Sequence, residues 1–185
     1  MTLLGQEETT RWIWMDLEMT GLDVERCVIL QIATVITDAS LREVESLDIV
    51  VQQPEEAFEQ MIPFVRQMHT KNGLLERVRA SRRSLAEAEA RTLQLISRYV
   101  RQDEGILVGN SIWMDRLFLR RHMPRLETYL HHRQIDVSSL KVLCQTWYGE
   151  RGTAPDKESQ HTALEDVRDS IAELRFYRER CFRQP

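Results

Sequence analysis

Two carboxylic acids, Asp16 and Glu18, interrupt an apolar stretch, residues 12–19, that also holds two tryptophans and two methionines. Residues 12–18 predict a β-strand, and successive side chains on one face of a strand lie roughly 7 Å apart. Both carboxylates can therefore reach one small ligand. A solvent-facing edge strand is the alternative, but the apolar neighbours favour a buried strand, where two unpaired acids are costly. A hard divalent cation would neutralise the pair.

A second pair of reactive residues lies at the start of the last predicted helix. Thr162 and Glu165 form a capping-box pattern, which makes Thr162 the N-cap and Asp166 the fourth helical residue. His161 then lies beside Asp166, whose carboxylate is near the positive end of the helix dipole. The alternative is a surface histidine next to a surface aspartate, with no chemical role.

A third acid, Asp115, lies in the first turn of a helix predicted for residues 112–123, directly after a short apolar strand. Ligands of open α/β sheets collect beyond the ends of strands, which makes this position suggestive. Aspartate is also common in first helical turns because it interacts with the helix dipole. Asp115 is therefore a candidate site residue only in combination with the other acids.

The elements that must position these acids predict an α/β fold. Three strands in close succession favour an antiparallel meander, and the later alternation of strand and helix implies a mixed sheet covered by helices. Helical patterning begins after Pro54, and Pro63 is expected to interrupt it. We predict strands at residues 12–18, 28–37, 43–51, 105–109 and 134–136, and helices at 84–100, 112–123, 138–148 and 162–181.

Length and composition narrow the possible classes of protein. The 185 residues predict a single domain, residues 1–185, and the net charge of −4 argues against a protein that wraps long nucleic acid. Three widely spaced cysteines argue against both a disulfide framework and a zinc site. A bilayer span takes about 20 apolar residues, and the chain has no such run and no secretory signal. We expect a cytoplasmic protein with no membrane partner.

Taken together, the acidic residues form a recognisable pattern. It comprises D-L-E-M-T-G-L-D at residues 16–23, G-N-S at 109–111 followed by Asp115, and His161 followed by Asp166. The chain resembles the DEDDh exonucleases, and specifically the bacterial oligoribonucleases; residues 133–141 and 166–177 also match that family's pattern. The resemblance implies a ribonuclease H-like mixed five-stranded sheet flanked by helices and a homodimer. It also implies degradation of very short single-stranded RNAs and dinucleotides from the 3′ end to nucleoside 5′-monophosphates.

The resemblance assigns a role to each catalytic candidate. Two divalent cations, Mg²⁺ or Mn²⁺, are implied, and together their charge offsets that of four crowded carboxylates. His161 is the implied general base, because an imidazole with an ordinary pKa near 6.5 accepts the proton of water at neutral pH. The implied metal ligands are Asp16, Glu18, Asp115 and Asp166.

Substrate-binding residues are implied in the same way. Leu22 corresponds to a residue that wedges against a base, and Phe64 and His132 occupy positions that stack on bases. A closed group around the 5′ phosphate, which we call the phosphate cap, would reject long chains; its members are Ser111, Arg133, Ser138 and Lys141. Helix capping by Ser138 and a surface role for Arg133 are the alternative interpretation.

Three residues depart from the family's usual pattern. Phe64 stands where tryptophan is usual, and His132 stands where tyrosine is usual. The resemblance implies that the residue at position 132 reaches into the neighbouring subunit's site. Each smaller ring could weaken a base contact by around 1 kcal/mol. Gln31 replaces a usual glutamate, and the sequence alone does not explain the exchange.

Two other functions are compatible with the pattern. The first is a DEDDh exonuclease acting on DNA or on longer RNA 3′ ends, which would favour a basic patch that the sequence lacks. The second is a non-catalytic dimeric module that binds dinucleotides. Loss of one of the five catalytic candidates would favour that module, and all five are present.

Overall fold

The computed structural model describes residues 10–155 and 162–182. Its strands are β1 (Arg11–Met19), β2 (Ile29–Asp38), β3 (Glu43–Val50), β4 (Ile106–Gly109) and β5 (Gln134–Asp136). Its helices are α1 (Glu56–Glu59), α2 (Pro63–Lys71), α3 (Leu74–Ala80), α4 (Leu85–Ser97), α5 (Ile112–His122), α6 (Pro124–Tyr129), α7 (Val137–Tyr148) and α8 (Ala163–Arg180), with a 3₁₀ turn at Gly149–Gly152. No helix within these ranges is both long and apolar enough to cross a bilayer.

The five strands form one mixed sheet in the order β3-β2-β1-β4-β5. β2 runs antiparallel to both β1 and β3, whereas β1, β4 and β5 are parallel to one another. This topology confirms the predicted α/β class with a five-stranded mixed sheet. β1 lies at the centre, so the acids it carries lie inside the fold and not at a sheet edge.

Side-chain alternation along β1 divides the core into two layers. Ile13, Met15 and Leu17 pack against α4 and α5 on one face. Trp14 is fully buried on the other face, among apolar residues of α7 and α8. Because alternate residues share a face, Asp16 follows Trp14 on the side that α8 covers. The strand pattern therefore directs the first acid toward the helix that carries Asp166.

The predicted element boundaries differ from the observed ones mainly at helix ends. Pro63 does interrupt the helical pattern, but it also begins α2, because proline at the first helical position lacks only an amide that would be unbonded anyway. The helix predicted to reach residue 100 ends at Ser97, and tighter turns follow it. The prediction contained neither α3 nor α6 as separate helices.

Candidate active site

Three carboxylates converge where β1 ends and α8 begins. Asp16, Glu18 and Asp166 each offer one oxygen, and these oxygens lie within 4.8 Å of one another. We call this group the carboxylate cluster. β1 supplies two members and the first turn of α8 supplies the third. Such an arrangement of hard oxygen ligands suits a divalent cation such as Mg²⁺ or Mn²⁺.

The start of α8 has the predicted register. Thr162 is the N-cap, and the amide of Asp166 donates to the Thr162 carbonyl at 2.9 Å, which makes Asp166 the fourth helical residue. The capping interaction differs from the predicted one. The Thr162 hydroxyl donates to Glu165 Oε2 at 2.7 Å and makes no hydrogen bond to a backbone amide. Local sequence therefore fixes where Asp166 lies along the helix.

Asp115 lies beside the carboxylate cluster but is held by the backbone. Its Oδ1 accepts the Leu17 amide at 2.9 Å, and the residue is only 6% exposed. Burial raises the pKa of Asp115 to about 7, although the Leu17 hydrogen bond acts in the opposite direction. The prediction placed four acids together; the structure brings three within 4.8 Å and places Asp115 next to the strand that carries two of them.

The surroundings of Glu18 disfavour its ionised form. Burial, followed by the charges of Asp166 and Asp115, raises its pKa to about 8. The guanidinium of Arg77 acts the other way but does not cancel these effects. Glu18 therefore keeps a proton at neutral pH unless a cation supplies positive charge. Several carboxylates crowded in a buried site suit the divalent cations that the resemblance implies, because a cation offsets their negative charge.

His69 is a neighbour of Glu18 that the sequence analysis missed. It is fully buried on α2, and its Nε2 lies 2.9 Å from the Met19 carbonyl. Its Nδ1 has no hydrogen-bond partner and lies 3.9 Å from Glu18 Oε2. Burial lowers the pKa of His69, so the neutral ring donates from Nε2 and turns the lone pair of Nδ1 toward Glu18. No sequence spacing relates the two residues.

A cavity of about 600 Å³ opens beside Glu18, between the end of β1 and helix α2. We call it the stacking cavity. Leu22 and Phe64 line it and are 68% and 71% exposed. Two large apolar side chains left in solvent beside buried acids provide surfaces on which a flat base can stack. The volume is in the range of small-ligand sites.

Ser111 and Ser138 meet at the other side of the sheet end, where β4 and β5 finish. The Ser111 amide donates to Ser138 Oγ at 2.9 Å and to Asp136 Oδ1 at 3.0 Å. Ser111 adopts a left-handed conformation with φ 49° at the N-cap of α5. Two predicted members of the phosphate cap are therefore in direct contact.

Arg133 lies on the loop before β5, and a buried side chain holds this loop in place. The buried Arg116 donates to the His131 carbonyl at 2.7 Å and also bonds Glu127 at 3.1 Å. On the solvent side of the loop, the exposed His132 stacks on His131 with ring centroids 4.2 Å apart. The loop thus presents Arg133 and His132 to solvent on a rigid base.

Lys141, on α7, is the fourth predicted member of the phosphate cap, and it has a buried partner. Its Nζ lies 3.7 Å from Glu173 Oε1, a carboxylate of α8 that is only 4% exposed. The remaining catalytic candidate, His161, lies outside the described residues.

Gln31 lies opposite Glu18 in the antiparallel pairing of β1 and β2. It is fully buried, donates from Nε2 to Asp48 Oδ1 at 2.6 Å and accepts from Arg77 at 3.4 Å. Arg77 is also the cation that lowers the pKa of Glu18. A glutamate at position 31 would add another carboxylate between Asp48 and Glu18. Glutamine keeps the bridge without adding that charge.

Comparison with known proteins gives the chain a family. Residues 13–174 match the exonuclease family model. The chain is 46% identical over 176 residues to the oligoribonuclease of Mycobacterium sp. (strain KMS), covering 94% of the chain and 82% of that protein. It is 48% identical over 168 residues to the oligoribonuclease of Pseudomonas aeruginosa (strain UCBPP-PA14), covering 90% and 93%. The chain belongs to the oligoribonuclease family.

Solved exonuclease structures share this oligoribonuclease fold. Exonuclease I from Methylocaldum szegediense superposes with a TM-score of 0.72 at 22% identity over 92% of the chain. E. coli Exonuclease I in complex with a 5cy-dT13 oligonucleotide gives 0.73 at 16% identity over 94%. The chain spans 41% of the length of each. These similarities confirm the ribonuclease H-like architecture that the motif implied.

The family match confirms the resemblance on which the motif argument rested. The matched region contains Asp16, Glu18, Asp115 and Asp166, and it ends beyond Glu173. The four acids, the residues that line the stacking cavity and all four predicted members of the phosphate cap therefore lie within the part of the chain that matches the family model.

Proposed function

We propose that the chain is a 3′-to-5′ exoribonuclease that hydrolyses very short oligoribonucleotides, dinucleotides especially, to nucleoside 5′-monophosphates. The observation that carries the proposal is the carboxylate cluster at the wall of the stacking cavity, with Glu18 belonging to both. Membership of the oligoribonuclease family supports the same reaction. A base bound in the cavity would bring its adjoining phosphodiester close to the cluster, because Glu18 belongs to both.

Two divalent cations, Mg²⁺ or Mn²⁺, would be held by Asp16, Glu18, Asp115 and Asp166, and they would supply charge that activates water and stabilises the leaving oxygen. Each residue then has a distinct task. Glu18 must lose its proton before it can ligate. Asp115 stays fixed by the Leu17 amide. His161 accepts the proton of the attacking water, as the family resemblance implies.

Preference for short substrates would come from holding both ends. Leu22 and Phe64 would pack against the base at the 3′ end, since both are exposed at the stacking cavity. The phosphate cap would receive the 5′ phosphate at the other side of the sheet end. The net charge of −4 agrees with a few local contacts and disfavours a long basic groove.

The proposal includes a homodimer. α5 exposes Trp113 and Leu117, and α7 exposes Leu143 and Trp147, and each pair is one helical turn apart. Large exposed apolar side chains at such spacing suit burial against a second copy. The family resemblance adds that His132 of one copy enters the site of the other.

The test is a time course with 5′-labelled RNAs of two, three, five and ten nucleotides, with Mn²⁺ or Mg²⁺ and with a chelator control. We expect metal-dependent cleavage that is fastest on the dinucleotide. Equal or faster cleavage of the long RNA, or of DNA of the same lengths, would reject the short-substrate proposal in favour of a different DEDDh exonuclease. Binding of dinucleotide without cleavage of any length would indicate a binding module.

A further inference from the structure

A chain of hydrogen bonds leads from the phosphate cap to the buried carboxylate of Glu173. Asn110 Nδ2 lies 3.1 Å from Glu173 Oε2 and 2.8 Å from Ser170 Oγ. On its other side, Asn110 Oδ1 lies 3.1 Å from Ser138 Oγ. Ser138 Oγ in turn contacts the amide and the hydroxyl of Ser111, at 2.9 Å and 3.2 Å. Ser111, Ser138 and Asn110 thus connect the starts of α5 and α7 to Glu173 on α8.

The direction of donation along this chain is fixed at its buried end. An ionised carboxylate only accepts hydrogen bonds, and the Ser170 hydroxyl already donates to the Asp166 carbonyl at 2.8 Å. The Asn110 group that faces both of them must therefore be its NH₂. A flipped amide would point its oxygen at the Glu173 carboxylate. Consequently Asn110 Oδ1 faces outward and accepts from Ser138.

The outer members follow from this orientation. The Ser138 hydroxyl donates its single hydrogen to Asn110, so its oxygen accepts hydrogen bonds from both the amide and the hydroxyl of Ser111. All donors in the chain point inward, toward Glu173. Phosphate oxygens only accept, so the cap needs a hydroxyl that can turn its hydrogen outward. The hydroxyl bond of Ser111 is the longest in the chain, and Ser111 is exposed.

Glu173 also positions the cationic side of the cap. Its Oε1 accepts the Tyr177 hydroxyl at 2.8 Å and lies 3.7 Å from Lys141 Nζ. The same helix carries Asp166 and Ser170, so Glu173 connects the phosphate cap to the element that carries one member of the carboxylate cluster. The spacing between the two ends of a short substrate would depend on this connection.

We propose that Glu173 is a positioning residue for recognition of the 5′ phosphate: it orients Asn110, and through it Ser138 and Ser111, and it holds Lys141 at the cap. The inference rests on the proposed function, since it concerns the substrate end that the cap would bind. Glu173 does not touch the substrate itself. Replacing Glu173 should therefore change how strongly the enzyme prefers substrates with a 5′ phosphate over those without one.

The test is Glu173→Gln, which keeps the shape of the side chain but lets it present NH₂ to Asn110. The hydrogen bonds from Ser111 to position 173 then lose their fixed direction of donation. For the wild type and the variant we would measure kcat/KM on one dinucleotide with a 5′ phosphate and on the same dinucleotide with a 5′ hydroxyl. We expect the preference for the 5′ phosphate to fall roughly tenfold, the effect of losing one hydrogen bond to a charged group. The loss should appear in KM, with kcat nearly unchanged.

Two further variants make the test specific. Tyr177→Phe removes another donor to Glu173 without touching Asn110, and it should leave the phosphate preference unchanged. Asn110→Ala breaks the chain from the other side and should reproduce the loss, which keeps the test valid if Glu173→Gln fails to fold. Thermal unfolding of each variant separates lost structure from lost recognition.

The outcomes separate this inference from the proposed function. If the wild type prefers the 5′ phosphate and Glu173→Gln and Asn110→Ala keep that preference, the role of Glu173 is wrong while the proposed function stands. A raised preference in Glu173→Gln would also overturn it, because Glu173 would then act only as a counterion that weakens Lys141. If the wild type cleaves neither dinucleotide, the proposed function fails, and this inference fails with it.

Discussion

Glu18 binds its proton more tightly than an ordinary glutamate does, because of its surroundings. Its ordinary pKa of 4.5 rises to about 8 through burial and the charges of Asp166 and Asp115. Between these two values the folded chain binds a proton that the unfolded chain lacks. Stability of the metal-free protein therefore decreases as pH rises through this interval. A cation at the carboxylate cluster would reverse the effect, because it stabilises the ionised form.

This gives a prediction for thermal unfolding in the presence of a chelator. We expect the melting temperature to fall between about pH 5 and pH 8, and added Mn²⁺ to raise it most at the higher pH. Glu18→Gln should flatten the decrease, since no group is left to titrate at that position. Glu76→Gln, at an exposed position on α3, is the matched control and should keep the wild-type slope. An equally steep slope in Glu18→Gln would contradict the assignment.

His69 is a second single residue whose removal should change metal binding. Its Nε2 donates to the Met19 carbonyl, one residue after Glu18, and so holds the end of the strand that carries this ligand. Removing groups that orient metal ligands typically lowers metal affinity about 10- to 100-fold. We expect His69→Ala to weaken Mn²⁺ binding by roughly tenfold or more on that basis, measured by titration calorimetry.

The chain offers a matched control for His69. His122 also bonds a backbone carbonyl through Nε2, that of Val24 at 3.1 Å, but it stacks on Phe118. His122→Ala removes a similar ring and a similar hydrogen bond and should leave Mn²⁺ affinity at the wild-type value. Equal losses in both variants would mean that general destabilisation, and not the hydrogen bond that holds the strand end beside Glu18, causes the effect.

At the scale of elements, local rules predicted much of what positions the acids. The alternation of β1 and the capping residues before α8 were sufficient to place Asp16 and Asp166, because each depends on neighbours a few residues away. His69 and Glu173 escaped prediction for the opposite reason. His69 meets Met19 across 50 residues of sequence, and Glu173 meets Asn110 across 63. Such contacts arise from the packing of α2 and α8 on the sheet, which no local pattern encodes.

Helix α2 carries a prediction of its own, because it presents Phe64 to the stacking cavity while His69 anchors it to β1. Stacking of a base on an aromatic ring contributes about 1–3 kcal/mol when tested by alanine substitution. Phe64→Ala should therefore raise KM for a dinucleotide roughly fivefold or more, with little change in kcat. Phe64→Trp should lower KM, since the larger ring offers more area.

The exposure of Phe64 makes this measurement clean. With 71% of the residue in solvent, its truncation leaves the core intact, and the melting temperature should not change. Steady-state kinetics on the same dinucleotide would decide the matter. A drop in kcat at unchanged KM would place Phe64 in the chemical step and contradict a role in binding the base.

In the proposed homodimer, the second copy would complete the site. Apolar residues exposed on α5 and α7, Trp113 and Trp147 among them, would be buried in the homodimer. The loop with His132 is rigid in one chain, because Arg116 holds the His131 carbonyl and the two imidazoles stack. A rigid, exposed ring is suited to complete a neighbour's site without a large ordering cost.

Mixing two inactive variants tests whether sites are shared. His132→Ala lacks the ring that would enter the neighbour, and Asp16→Asn lacks a carboxylate of the cluster, so each homodimer should cleave dinucleotides poorly. After the two are unfolded and refolded together, about half the dimers are mixed, and each mixed dimer has one site with both residues intact. Activity should then recover to roughly a quarter of the wild-type value. Size-exclusion chromatography with light scattering would verify the dimers, and mixed dimers that stay inactive would show that His132 serves its own chain or no site at all.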